Sequence, residues 1–313
     1  MANTVKMDLD VRLKETITYQ SEMLHYGLYT SGYRRIFDAD IPWHWHDEFE
    51  LGFVTGGQVL YKTSRRSVTL GEGDGIFINS GILHYLHPVE PFSEARLQTQ
   101  FFDTSFLAGS PGSLLDIQYI APVREQRQLD VIPFYKREPG GQKFLEQMRE
   151  GIRLCLERGP FFELRLRSHF SEMWESIYRL ARQNREHDGT SDHAPGDERI
   201  KRLMLFIQEH YSERLTVSAL AASIPLSERE CYRLFQNSLG ITPVEYILSV
   251  RLQKARELLM STGKSVLDIA LETGFGTSSY FGKVFCRRYH ITPSRYRKLS
   301  RRLPSEGKEP APR

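Results

Sequence analysis

The sequence predicts an α+β multidomain chain, with a β-rich N-terminal domain carrying a helical pair and an all-α C-terminal half built as a double helix-turn-helix. Three observations predict it. Short apolar segments separated by Gly-rich turns run from Tyr29 to about Tyr135. Apolar residues then recur at three- and four-residue spacing from Gln142 onward. Near the C-terminus, Leu234-Phe235, Gly240-Ile241-Thr242-Pro243 and Tyr246 return fifty residues later as Val284-Phe285, His290-Ile291-Thr292-Pro293 and Tyr296. Duplication at a fixed period means duplicated structure.

At 313 residues the chain is long enough for two separate cores. No apolar run reaches membrane-spanning length. The N-terminus, Met1-Ala2-Asn3-Thr4, lacks a secretory apolar region, so a cytoplasmic location is expected. Cys155, Cys231 and Cys286 are too far apart for a disulfide framework or a thiolate metal cluster and fit helical patterns as small buried hydrophobes. The net charge of +3 hides an asymmetry: from Asp197 onward there are 20 Lys and Arg against 12 Asp and Glu, while the first 196 residues hold 22 against 27. A basic C-terminal module on an acidic N-terminal one suggests a polyanion partner for the former.

In chain order, the strands come first. Glu50–Val54, Gln58–Lys62 and Gly75–Ile78 are separated by Gly56-Gly57 and Gly71-Glu72-Gly73-Asp74. Many short strands at close spacing argue for a sandwich or small barrel. Two helices follow, Gln142–Glu157 and Phe162–Ala181, parted by Gly159-Pro160 as an antiparallel pair. Their apolar stripes serve packing on the sheet, with a dimer interface as the alternative. Arg182 to Asp197 is polar and rich in turn formers, which reads as a linker. The boundaries expected are 1–183 for the N-terminal domain (helical pair about 142–183), 184–197 for the linker, 198–302 for the helix-turn-helix domain and 303–313 for a tail.

In the C-terminal half, Asp197 is read as the cap of a helix from Arg199 to Tyr211. Thr216 caps Val217–Ser223, which Pro225 ends. Ser227-Glu228-Arg229-Glu230 is a capping box opening a helix to Ser238, with Cys231, Leu234 and Phe235 inward and Arg229, Tyr232, Arg233 and Gln236 outward. Val244–Ser261 is a long amphipathic connector. The second copy repeats the plan: Val266–Glu272 ends at Thr273-Gly274, and Thr277 caps Ser278–Tyr289. There Phe281, Val284 and Phe285 point inward, and Ser278, Ser279, Gly282, Lys283 and Arg287 outward. A short helix, a tight turn and a second helix with one buried seam is the arrangement of a DNA recognition helix.

Residues Leu215 to Lys298 resemble the double helix-turn-helix of the AraC/XylS family of bacterial transcription regulators. The matching positions include Leu220-Ala221, Ser227, Arg233-Leu234-Phe235, Gly240-Ile241-Thr242-Pro243, Tyr246, Arg251-Leu252, Ala255, Leu258-Leu259, Ile269-Ala270, Gly274-Phe275, Tyr280-Phe281, Phe285 and Thr292-Pro293-Ser294-Arg295-Tyr296-Arg297. His290 and Gly276 depart from the family pattern, which has Gly at the first and often Asp or Asn at the second. The resemblance implies two recognition helices entering successive major grooves of double-stranded DNA. Arg229, Tyr232, Arg233 and Gln236, with Ser278, Ser279, Lys283 and Arg287, then form the DNA-binding set. Arg bonds guanine in a bidentate way whereas Ser reads less selectively, so the first helix is expected to discriminate more. Arg295, Arg297, Lys298, Arg301 and Arg302 suit phosphate contact or a basic tail.

In Trp43-His44-Trp45-His46-Asp47-Glu48-Phe49-Glu50, the residues His44, His46 and Glu50 are read as alternating on one strand face, and His84 follows the turn Asn79-Ser80-Gly81. With Gly73-Asp74 and Gly81-Ile82-Leu83-His84 this resembles the two half-motifs of a cupin barrel, so the N-terminal domain is expected to be a cupin-like β-barrel. The regulator reading makes Arg34, His44, Trp45, His46, Glu50 and His84 the lining of an effector pocket. Trp43, Trp45 and Tyr33 would suit the face of a sugar or sugar derivative. On that reading there is no catalysis, no cofactor and no bound metal. The alternative is a metal-dependent cupin enzyme with an appended helical domain, in which His44, His46, Glu50 and His84 would be the ligands. A ligand-independent architectural DNA binder would leave the pocket idle. RNA polymerase and a second copy of the chain are the further partners expected, and no membrane.

Overall fold

A computed structural model describes residues 3–4, 13–21, 23–33, 41–89, 95–126, 128–187 and 194–300. The chain divides into two units, Met1–Glu198 and Arg199–Arg313. The strands of the first unit are β1 (Asn3–Thr4), β2 (Tyr26–Tyr33), β3 (Ile41–His44), β4 (Phe49–Gly56), β5 (Gln58–Thr63), β6 (Ser67–Gly71), β7 (Gly75–Ile78), β8 (His84–Pro88), β9 (Ala95–Phe102) and β10 (Val131–Phe134). They pair as a six-stranded sheet in the order β1-β2-β9-β4-β7-β10 and a four-stranded sheet in the order β3-β8-β5-β6. Pairing is antiparallel except between β1 and β2.

Alternation along the strands shows how the layers stack. In β6, Val68 and Leu70 are buried while Ser67 and Thr69 are exposed, so the small sheet has one solvent face. In β7 all four residues are buried. Ile76 and Ile78 pack with Val59, Tyr61, Leu70 and Leu86 of the small sheet, and Phe77 on the opposite face belongs to the core shared with the helices. The large sheet is therefore the middle layer, which explains why β7 (Gly75-Ile76-Phe77-Ile78) and β10 (Val131-Ile132-Pro133-Phe134) are apolar on both faces. The expected barrel is a sandwich of two open sheets: the ladders do not close into a ring among the described residues.

The expected β region also contains a helical insertion between β9 and β10: α1 (Thr104–Ala108), a π-helical turn (Asp116–Ile120) and α2 (Ala121–Arg124). Short-range caps override the strand reading there. The Asp103 carboxylate accepts from the Phe106 N–H at 3.0 Å, and Pro122 sits in the first turn of α2. Next come α3 (Pro139–Glu157) and α4 (Phe162–His187). Trp174 of α4 lies 4.8 Å from the ring of Phe49, and Phe144 of α3 stacks on Phe134 at 3.8 Å. These aromatic anchors hold the helical pair on the large sheet.

Helix α5 (Ala194–His210) begins before Arg199 and runs into the second unit, which continues with α6 (Val217–Ala222), α7 (Glu228–Leu239), α8 (Pro243–Ser261), α9 (Val266–Glu272), α10 (Ser278–Tyr289) and α11 (Pro293–Ser300). Helix α4 runs to His187 and α5 starts at Ala194, so Asp197 lies inside a helix rather than capping one, and the expected 184–197 linker is helical at both ends. Residues 188–193 lie outside the described residues, as do the tail 303–313 and Arg301 and Arg302. Elsewhere the caps are those read from sequence. Thr216 accepts from the Ala219 N–H, Thr277 from the Tyr280 N–H, and Ser227 with Glu230 closes a reciprocal capping box. Two further boxes, Thr242 with Glu245 and Ser265 with Asp268, open α8 and α9.

Candidate functional site

The C-terminal surface is built on α7 and α10. Cys231, Phe235 and Leu239 are buried in the first, Phe281 and Phe285 in the second, and Leu234 and Val284 are half-buried. One seam of each helix is thereby anchored and the rest faces outward. Arg229, Tyr232, Arg233, Gln236, Ser278, Ser279, Lys283 and Arg287 are all exposed. Tyr280 is also 47% exposed, a surface residue that the sequence pattern passed over because Phe281 beside it takes the inward place; its ring lies 6.0 Å from that of Phe275.

The scaffold between the two helices rests on backbone contacts. Arg251 of α8 donates from Nε to the Tyr211 carbonyl at 2.7 Å and from a terminal nitrogen to the Glu213 carbonyl at 2.7 Å. Gly274, in the turn between α9 and α10, has φ +77, and a Cβ there would meet the same Tyr211 carbonyl at 2.5 Å. Only glycine fits both the left-handed backbone and that approach. Arg297 donates to the Lys264 carbonyl at 2.5 Å, tying α11 to the loop before α9.

In the N-terminal unit, His44, His46, His84 and Glu50 come together in the interior at 0–3% exposure. They do not alternate on one strand. His44 ends β3 opposite His84 of β8 in the small sheet, His46 lies in the connection, and Glu50 is on β4 of the large sheet. The chain turns between Trp45 and Phe49, so a spacing of two and four residues is achieved by crossing between sheets. The ring centroids of His44 and His84 are 4.0 Å apart, and those of His46 and His84 are 5.2 Å apart. Glu50 Oε2 lies 3.2 Å from His46 Nε2 and 3.3 Å from His84 Nε2.

Two carboxylates join the cluster that sequence reading did not place there. Glu15, 5% exposed, reaches His44 Nε2 at 3.5 Å. Its segment is held by backbone bonds from the Glu15 N–H to the Trp45 carbonyl at 2.8 Å and from the Trp45 N–H to the Leu13 carbonyl at 3.0 Å. Glu48 lies 3.9 Å from His46 Nδ1 and accepts from the Tyr19 hydroxyl at 2.5 Å. Nothing near Glu15 in sequence signals a site, because its partners His44 and Trp45 lie 29 and 30 positions further along the chain.

Burial and charge set the protonation of these groups. Burial pushes the Glu15 carboxyl up to about 7, against the pull of His46 and with the help of Glu50 and Glu48. Burial, then the neighbouring His84 and His46, holds His44 well below the ordinary imidazole value. Burial also opposes charge on His46, but the Glu50 hydrogen bond and the surrounding carboxylates outweigh it and raise its pKa. Glu50 is depressed well below the carboxylate range: burial would raise it, and the two imidazoles override burial.

Of the remaining residues expected at an effector pocket, Trp43 is 7% exposed and stacks on Tyr85 at 5.6 Å. Trp45 is half-buried with the Lys14 ammonium 5.2 Å from its ring. Arg34 and the Tyr33 side chain lie outside the described residues. No helix among the described residues is long and apolar enough to cross a membrane.

Comparison with known proteins agrees with both halves. Residues 29–173 match the AraC-like ligand binding domain family and residues 220–299 a helix-turn-helix domain family. The chain is 26% identical over 292 residues to the HTH-type transcriptional regulator YdeC of Bacillus subtilis, covering 93% of this chain and 98% of that one. It is 26% identical over 259 residues to the HTH-type transcriptional activator RhaS of Salmonella arizonae, covering 83% and 88%. Among solved structures, ToxT of Vibrio cholerae aligns over 88% of this chain and 98% of its own, at 12% identity and a TM-score of 0.44. The two family matches, in the order expected from sequence, and relatives aligned along most of their own length lead to one conclusion: this protein belongs to the AraC/XylS family, a transcriptional regulator in which an AraC-like ligand-binding domain precedes a DNA-binding helix-turn-helix domain.

Proposed function

We propose that α7 and α10 enter successive major grooves on one face of a DNA duplex, and that a small molecule taken up by the N-terminal unit changes this binding. One observation carries the first half: each helix has one buried seam and presents an outward set of cationic and hydrogen-bonding side chains, Arg229, Tyr232, Arg233 and Gln236 on α7 and Ser278, Ser279, Lys283 and Arg287 on α10. Successive grooves require the two helices to lie about 34 Å apart. Arg229 and Arg233 suit bidentate bonds to guanine, Ser278 and Ser279 read with less selectivity, and Lys283, Arg287, Arg295, Arg297 and Lys298 neutralise phosphates. A second copy of the chain and RNA polymerase are the macromolecular partners, in the cytoplasm. The functional division places sensing in residues 1–183 and DNA binding in 198–302.

Effector control follows from linkage: a small molecule shifts DNA binding only as far as its affinities for the two states differ. Of the two tryptophans suited to a sugar face, Trp43 is stacked on Tyr85 and Trp45 is half-buried. Catalysis by the histidine cluster has little support, because its four side chains leave almost no surface for a substrate to touch. Genome-wide mapping of binding sites tests the reading, followed by titration of the full chain on the recovered site. A preference for that site with a steep salt dependence is expected. Equal affinity for the site and for random DNA would overturn it.

A further inference from the structure

Helix α10 carries a glycine that its own packing does not require. Gly282 is the fifth residue of the helix, and a Cβ there would meet no side chain or neighbouring element within 4 Å. Its backbone is helical, unlike that of Gly274, where a left-handed φ calls for glycine. Glycine is among the poorest helix formers, because it gives up the most backbone freedom on folding. Gly151, inside α3, shows the opposite case. A Cβ there would lie 2.9 Å from Gln100 Oε1 and 3.2 Å from the Phe170 ring, so packing within the chain excludes a side chain. At position 282 the folded chain has room for one and would form a better helix with it. The remaining physical use of a glycine in mid-helix is close approach of the backbone by something outside the chain.

The position on the helix indicates what approaches. Ser278 and Ser279 lie one turn before Gly282 on the helix surface and Lys283 follows it, and all three are exposed. The fifty-residue period sets Gly282 where α7 carries Tyr232, a side chain 40% exposed. At the same place in the two copies, one helix puts a phenol ring in front of its backbone and the other puts nothing. We propose that Gly282 lets the backbone of α10 lie directly against base edges in the major groove, and that the second half of the DNA site is selected by a fit that any side chain at 282 would obstruct. This inference rests on the reading of α7 and α10 as the DNA-contacting helices. The serines support it independently: a serine hydroxyl is short, and it reaches a base edge only from a helix seated deep in the groove. Arg229, Tyr232 and Arg233 need no such depth, because long side chains span the gap. The two copies therefore divide the work, α7 reading through extended side chains and α10 through contact close to its backbone.

The test uses the purified full-length chain and the DNA site recovered with the parent protein. Gly282→Ala and Gly282→Leu are titrated on that site and on random DNA at one fixed salt concentration. Gly282→Ala should bind the site about ten-fold more weakly and Gly282→Leu about a hundred-fold, the range that one or two mismatched base pairs cost. Losses on random DNA should be much smaller, since non-specific binding rests on phosphates. Both variants should melt a few degrees above the parent, because Ala and Leu are good helix formers and position 282 has room for them. A rise in melting temperature together with a loss of affinity is the signature that a structural role for the glycine would not produce. Gly140→Ala, at an open position in the first turn of α3, is the control and leaves DNA binding unchanged. Parent-like affinity of Gly282→Leu for the site overturns the inference, as do equal fractional losses on the site and on random DNA. A lower melting temperature in Gly282→Ala overturns it as well, since the protein itself would then need the glycine. A parent chain that binds the site and random DNA equally overturns the reading of both helices, and this inference with it.

Discussion

The two helix-turn-helix copies share a backbone plan and differ in what they place on it. Helix α7 opens with a reciprocal capping box and ends at Gly240, whose φ is 70. Helix α10 opens with Thr277 alone and ends at His290, whose φ is 58. Outward, the first offers two arginines, a tyrosine and a glutamine, and the second two serines, a lysine and an arginine. The difference teaches that geometry and reading are separable here. The same left-handed exit and the same buried seam hold helices of unequal chemistry, so the fold can be duplicated without duplicating the sequence it recognises.

The largest expected effect concerns what the copies share. Phe235 and Phe285 are each fully buried. Truncation of either to Ala should cost about 3–5 kcal/mol of stability in urea unfolding. Phe285 also sits among Phe281, Tyr289 and Tyr296, at ring distances of 5.4, 4.5 and 5.4 Å, whereas Phe235 meets Tyr246 at 5.7 Å. Phe285→Ala should therefore be the more damaging of the two. The reverse order would break the idea that the second copy is held by the denser aromatic packing.

The next effect sharpens the difference in reading. Arg233→Ala should lose about 1–3 kcal/mol on the preferred site and little on random DNA, while Lys283→Ala should weaken both alike and lower the salt slope by about one. Binding titrations at several salt concentrations decide this. If Lys283→Ala alters base preference and Arg233→Ala does not, the assignment of the two helices is inverted.

Much of this pair was legible in the sequence because caps, turns and period-three-to-four apolar spacing are local. Thr216, Ser227, Thr277, and His290 in a left-handed exit could each be read from a few neighbours. The N-terminal unit was legible only in part. The residue types of the histidine cluster were found, but the reading placed His44, His46 and Glu50 on one strand, when the chain changes sheets between them. Glu15 had no local signal at all, because its role depends on a backbone bridge to Trp45. The helical insertion from Thr104 to Arg124 was read as strand for a related reason: a cap and a proline decide it against a β-rich context.

A smaller effect lies at the two helix exits. Gly240→Ala should cost about 1 kcal/mol, since a Cβ is strained in the left-handed region even where nothing else is near. His290→Gly relieves the same strain, gives the unfolded chain more freedom and removes the imidazole, so it should not stabilise the chain by as much as Gly240→Ala costs. Thermal unfolding of both variants tests the asymmetry. A large loss in His290→Gly would mean that the imidazole makes a contact that its glycine counterpart does without.

The smallest effect separates the two helix starts. Glu230 accepts from the Ser227 backbone N–H at 2.9 Å and from its hydroxyl, and Glu245 does the same for Thr242 at 2.7 Å. Those backbone and hydroxyl bonds hold both carboxyls below the ordinary value of 4.5. A carboxyl depressed in the folded chain binds protons less readily than in the unfolded one, so its contribution is complete above 4.5 and declines as pH falls through the depressed value. Helix α10 has Tyr280 at the equivalent third position and no carboxylate to lose. Acidification from about pH 6 to about pH 3 should therefore increase amide exchange at Ser227 and Thr242, after correction for the intrinsic rate, and leave Thr277 unchanged. Because the capping carboxylates Glu230 and Glu245 are exposed, acid fraying shared equally by α7, α8 and α10 would show that general charge repulsion, not those carboxylates, governs the helix starts.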